Sequence, residues 1–238
     1  MFVFAIVATI ALSVATGQQV DKTFVDSGLS RRILAGRAPS EKLGVRFSNG
    51  VEVDLGNELT PLQVKEPPKL YWRAERDALY TVIFTDVDAR RVRPPFEFNH
   101  WLAINVPGYT DPTRPRLQFE QNPELGQVLT SYLPPTPPKE TGPHRYAFLV
   151  FKQTGVINDT NLGFAMTRSR SWTSNEFAEA HNLRIAAGNY FVARLKEFRL
   201  NGTNLWLRDH KCDERQKSLQ KLRTLNEVPT RTWEKTLH

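Results

Sequence analysis

The chain holds one cysteine, Cys212, in 238 residues. An internal disulfide is therefore impossible, and the cysteine count says nothing for or against secretion. No H-E-x-x-H pattern and no G-x-S-x-G elbow is present, and no serine or cysteine nucleophile stands beside the residues singled out below. An enzyme is not expected, nor is a cofactor or a metal site. No RNA-recognition signature or basic–aromatic repeat occurs, so nucleic acid is not an expected partner despite the charge. Internal repeats and low-complexity blocks are absent.

What is there is ordinary in bulk and basic in sign. Hydrophobic residues make up 40% and charged residues 24%, enough for a packed core. A formal charge of +7 and a pI near 9.6 favour anionic partners: phosphorylated molecules, lipid headgroups or an anionic membrane surface.

Residues 1–17 carry no charge and are almost wholly apolar, too short for a comfortable membrane span. They end in Ala15–Thr16–Gly17, small residues at the positions a signal peptidase reads. A signal peptide cleaved near Gly17 and a secreted, extracellular protein are expected. The sequons at Asn158 and Asn201 agree as candidate glycosylation sites. Residues 18–41 read as a loosely held, polar N-terminal lead-in with one short helical turn.

Residues 42–208 read as one mainly β domain with peripheral short helices. Val45–Phe47 and Val51–Leu55 alternate around Ser48–Asn49–Gly50, a hairpin pattern. Lys69–Trp72, Leu79–Phe84, Trp101–Val106, Gly126–Thr130, Tyr146–Lys152 and Ala186–Leu195 read as strands, three of them long and buried. Ser174 is the expected cap of a helix running to His181. Residues 209–238 form a charged tail with Leu219, Leu222 and Leu225 at helical spacing.

The chemistry collects where buried strands begin and end. Asp86 and Asp88 are two apart at the end of one strand, and His100 begins the next. His144 and Tyr146 begin a third, after five prolines and one glycine in residues 134–143. So stiff a segment suits the wall of a pocket. Imidazole N–H and phenol O–H groups can donate to phosphate oxygens, while a carboxylate fixes an imidazole's tautomer.

Two blocks resemble the phosphatidylethanolamine-binding protein family. One is Thr85, Asp86, Asp88, Ala89, then His100, Trp101 and Leu102. The other is Pro137, Pro138, Lys139, Thr141, Gly142, His144, Arg145 and Tyr146. The hairpin Phe47–Val64 and the segment Ala187–Phe191 match in the family's order. The resemblance implies a β-sandwich with a large central antiparallel sheet and a small anion pocket at one end. It implies a pocket of Asp86, Asp88, His100, Pro138, His144 and Tyr146, with the aromatic positions Phe98 and Phe191 beside it. Asn189 and Tyr190 fall in another pocket segment of the family.

This sequence departs from the family's pattern at Val87 and Arg90, where proline is usual, and at Phe191, where a pocket tyrosine is expected. Arg90, Arg91 and Arg93 make a basic rim. The implied function is non-enzymatic binding of a phospholipid headgroup or another small phosphate-type anion by a monomer. The alternative is a regulatory protein that inhibits a serine protease or a kinase. The stretch Tyr132–Gln153 also resembles the family-related component of the mitochondrial large ribosomal subunit. The charge-free leader and the short C-terminal extension weigh against that reading.

Overall fold

The computed structural model describes residues 19–89, 96–108, 119–139, 141–158, 170–195, 198–200 and 203–205. Residues up to Leu195 form one compact unit. Its main sheet has seven strands: β1 (Glu41–Lys42), β4 (Leu79–Asp86), β5 (Glu97–Pro107), β7 (Gln127–Thr130), β8 (His144–Lys152), β9 (Ser171–Trp172) and β10 (Arg184–Ala193). The order is β1-β10-β8-β4-β5-β7, with β9 beside the start of β5. All pairs are antiparallel except β1 with β10. A smaller antiparallel sheet holds β2 (Gly44–Arg46), β3 (Lys69–Trp72) and β6 (Phe119–Gln121).

The long strands read as unbroken apolar runs because both faces of the main sheet are covered. Val82, Phe84, Phe148 and Val150 meet Val45, Phe47, Leu70 and Trp72 of the small sheet side, the expected sandwich. The alternate residues Ile83, Leu102, Leu149 and Phe151 face a helical layer instead. That layer comprises α1 (residues 19–26), α2 (Leu29–Ile33) and α3 (Ser174–Ala180).

Two local expectations are corrected. The lead-in is not loose: Val20 and Phe24, then Leu29 and Ile33, are paired four apart and at most 1% exposed. That spacing puts each pair on one helix face, and the main sheet supplies the apolar surface that covers it. Ser174 does not cap α3; the Thr173 side chain accepts from the Glu176 amide at 3.1 Å. Ser174 binds Glu97 of β5 through its amide (2.8 Å) and hydroxyl (2.6 Å).

The turn after Phe47 forms, with the Phe47 amide bonded to Val51 O and the Val53 amide to Val45 O around the Arg46–Glu52 bridge, but the returning segment forms no longer ladder. Its position is fixed from the other layer by Asn189. The Asn189 amide nitrogen donates to Leu43 O (2.8 Å) and Val53 O (2.9 Å), and its oxygen accepts from the Leu55 and Tyr190 amides. Asn189 is fully buried and ties the two sheets together, so it is not a pocket residue.

The described residues beyond Leu195 fall in a second unit. Its described part is an antiparallel hairpin, β11 (Phe198–Leu200) with β12 (Thr203–Leu205). The leader 1–17, the tail 209–238, Asn201 and the arginines at 90, 91 and 93 lie outside the described residues.

Candidate functional site

Strand register assembles the site. Across β5, β4, β8 and β10, Phe98 pairs with Asp86, Asp86 with Tyr146, and Tyr146 with Phe191. Four residues from distant parts of the chain thus form one transverse row at the end of the sheet. His144 lies two residues before Tyr146, hence on the same face. The Tyr146 and Phe191 rings stack at 5.3 Å, and the His144 and Tyr146 rings at 6.3 Å.

His100 joins them through a bulge. The register passes from Phe84↔Trp101 to Thr85↔Asn99, leaving His100 as the extra residue of β5. A bulge re-aims side chains that strict alternation would send elsewhere. Its ring consequently packs beside Phe84 (5.3 Å), Phe98 (5.1 Å) and Tyr146 (5.4 Å) on the sandwich face.

Hydrogen bonds decide what each ring can offer. His100 Nδ1 is 2.7 Å from Leu133 O, a pure acceptor, so Nδ1 carries the proton. Burial pushes the His100 pKa down to about 4, against the pull of that bond and of Asp86. The neutral ring therefore presents a lone pair at Nε2, which makes no hydrogen bond among the described residues. Sequence reasoning takes this imidazole for an N–H donor to phosphate; the loop carbonyl makes it an acceptor.

His144 is held on both sides. Nδ1 lies 2.8 Å from Asp86 Oδ2, and Nε2 lies 2.7 Å from the Thr141 hydroxyl. The other oxygen of Asp86 accepts from the Asp88 amide at 2.9 Å. The Thr141 hydroxyl is also 2.8 Å from Pro138 O, which is how the half-buried Pro138 enters the site. Thr141 belongs to the quoted motif but is not singled out by sequence reasoning; its only signal is its place three residues before His144. The Tyr146 hydroxyl is buried and makes no hydrogen bond of normal geometry among the described residues, although the Asp86 carboxylate is close enough to interact with it. Burial and the neighbouring Asp86 carboxylate push its pKa up, so it remains a donor.

Asp88 does not join the cluster. Its carboxylate takes three bonds from Arg145: from the amide (2.9 Å), Nε (2.8 Å) and Nη2 (2.7 Å). Burial opposes ionisation there, yet these bonds hold the pKa below the usual carboxylate range. Arg145 also donates to Ser27 O at 2.6 Å, joining the site's rim to the chain between α1 and α2. Asp88, Thr141, Pro143, Arg145 and Val192 line a shallow cleft of about 460 Å³. His144 is 1% exposed and Asp86 4%, so Thr141 stands between the cleft and the imidazole. Asn158 is exposed, as a glycan acceptor must be.

A second buried acid sets the pH response. Burial raises the Glu97 pKa to about 7, against the Ser174 bonds and the Arg32 charge. Its contribution to stability is fully present below the ordinary value of 4.5 and lost as pH rises through about 7. The neutral His100 works in the opposite sense: its contribution is present above 6.5 and lost as pH falls through about 4. Each displacement is equivalent to about 3 kcal/mol, and the two oppose each other over the shared window. The wild-type thermal midpoint should therefore change little between pH 6.5 and 4.5, while that of Glu97→Gln falls on acidification. Equal slopes in the two proteins would refute the opposing-titration account.

A two-layered β body with helices on its outer face, and histidines, a carboxylate and a tyrosine at one end of its central sheet, is the framework of a small-ligand binding protein. The chain belongs to the phosphatidylethanolamine-binding protein family, which residues 43–191 match. It is 33% identical over 174 residues to a 26 kDa secreted antigen of Toxocara canis, covering 71% of this chain and 62% of that antigen's length. The crystal structure of carboxypeptidase Y inhibitor complexed with its cognate proteinase superposes with a TM-score of 0.60 at 22% identity, over 76% of this chain and 97% of that one. The phosphatidylethanolamine-binding protein from Plasmodium vivax does so at 0.52 and 17%, over 74% and 98%. At these identities the two structures share the fold.

Proposed function

We propose that this chain is a non-enzymatic binding protein for a phosphate-type anion, such as a phospholipid headgroup, held at Asp86, His100, His144 and Tyr146. The observation that carries the reading is the buried, unpaired Tyr146 hydroxyl beside His144 and Asp86. An unpaired buried hydroxyl costs about 1–3 kcal/mol, which a ligand oxygen would relieve. With His144 Nδ1–H committed to Asp86, Nε2 can donate to an anion only when the ring carries both protons. His100 asks for the reverse, a donor on the ligand. An ammonium group or a protonated phosphate oxygen supplies one, and sulfate does not.

Titration with phosphoethanolamine, followed through the ring resonances of His100 and His144, tests this directly. Both rings should shift, and sulfate at the same concentration should leave His100 unmoved. If neither ring responds at millimolar phosphoethanolamine, the site is not an anion site.

Secretion accompanies this reading. Its supports are the apolar residues 1–17, the exposed sequon at Asn158 and the likeness to a secreted antigen. A protein target, a serine protease or a kinase, is the second reading; the shared fold with the carboxypeptidase Y inhibitor raises it.

A further inference from the structure

We infer that the Thr141 hydroxyl is an internal competitor for the anion site, occupying the place on His144 Nε2 that a ligand oxygen takes. The inference rests on the anion-binding reading above and concerns what sets its affinity. Three observations converge on it. The hydroxyl lies 2.7 Å from Nε2, the only ring nitrogen of His144 not committed to Asp86. The ring is 1% exposed, and Thr141 is the cleft-lining residue in contact with it. Behind it the Tyr146 hydroxyl is fully buried and makes no well-formed hydrogen bond among the described residues, with the Asp86 carboxylate as its nearest acceptor.

The exchange is chemically matched. A terminal phosphate oxygen accepts from imidazole N–H and phenol O–H alike, whereas the Thr141 hydroxyl is shared between the imidazole and Pro138 O. Thr141 can leave by rotating about χ1, a change between staggered wells. The same rotation gives up the bond to Pro138 O at 2.8 Å, leaving the hydroxyl to water in the cleft. Every ligand must first break the Thr141–His144 bond, and affinity is lowered by that amount.

The test is calorimetry of wild type, Thr141→Ala and Thr141→Ser with inorganic phosphate and, separately, phosphoethanolamine. Alanine removes the hydroxyl, while serine keeps it and loses only the methyl. The alanine variant should bind either anion about fivefold to tenfold more tightly, the equivalent of one hydrogen bond, and the serine variant as wild type does. Preference for phosphoethanolamine over phosphate would identify the anion as a headgroup; equal affinity would identify free phosphate. If wild type binds and the alanine variant binds equally or more weakly, the competitor role is refuted and the anion site stands. If no protein binds and His144 does not shift, the anion reading fails and this inference with it.

Discussion

Asn189→Leu should destabilise the main unit by about 3–5 kcal/mol, the largest stability loss expected from any single side chain described above. Leucine keeps the branched outline but is bulkier, so overpacking of this buried position adds to the lost hydrogen bonds. The substitution strands the Leu43 and Val53 carbonyls and the Leu55 amide in a fully buried position. Each orphaned group costs about 1–3 kcal/mol. Leu55 also holds a left-handed backbone, φ 45°, which Asn189 helps to fix through that amide. Urea unfolding followed by tryptophan fluorescence measures the effect. A loss under about 1 kcal/mol would mean that the Val51–Leu55 segment is held by something other than Asn189.

Asp86→Asn should move the ring proton of His144 from Nδ1 to Nε2. The Asp88 amide needs an acceptor and will orient the new carboxamide oxygen towards itself. The amide nitrogen then faces His144 Nδ1 and donates to it, which moves the ring proton to Nε2. A ring of that tautomer presents an N–H at Nε2, the nitrogen on the Thr141 side. In wild type the Asp86 carboxylate holds the proton at Nδ1 instead. Ring nitrogen-15 shifts of His144, compared in the two proteins at one pH, separate the two arrangements. Identical shifts at Nδ1 and Nε2 in the two proteins would defeat this tautomer argument.

The strands that carry the site were legible because their signal is local. Leu79–Phe84, Trp101–Val106 and Tyr146–Lys152 are too short for helices and too apolar for loops, and each proved to be a central strand. Asp86, His144 and Tyr146 flank those runs, and simple alternation placed them on one face. His100 was found as a residue but not as an orientation, since the bulge that aims it is a property of the pairing with β4. The helical pairs Val20/Phe24 and Leu29/Ile33 were present in the lead-in. Neither is long enough to declare a helix without the sheet that covers it.

Asp88 shows the limit most plainly. Two residues after Asp86 it shares that residue's side in an extended chain, but the strand ends at Asp86 and Arg145 captures the second carboxylate. Thr141 shows the converse, a residue whose importance comes wholly from the ring it meets.

By its own order the sequence determined the family, the β architecture and the residue types at the end of the central sheet. Only the folded chain decided which nitrogen of each histidine is free: Leu133 O, 33 residues from His100, and the carboxylate of Asp86, 58 residues from His144, set the two tautomers. The reason is physical. Apolar periodicity is written residue by residue along the chain, whereas a proton's position on an imidazole depends on an acceptor that tertiary packing delivers from elsewhere.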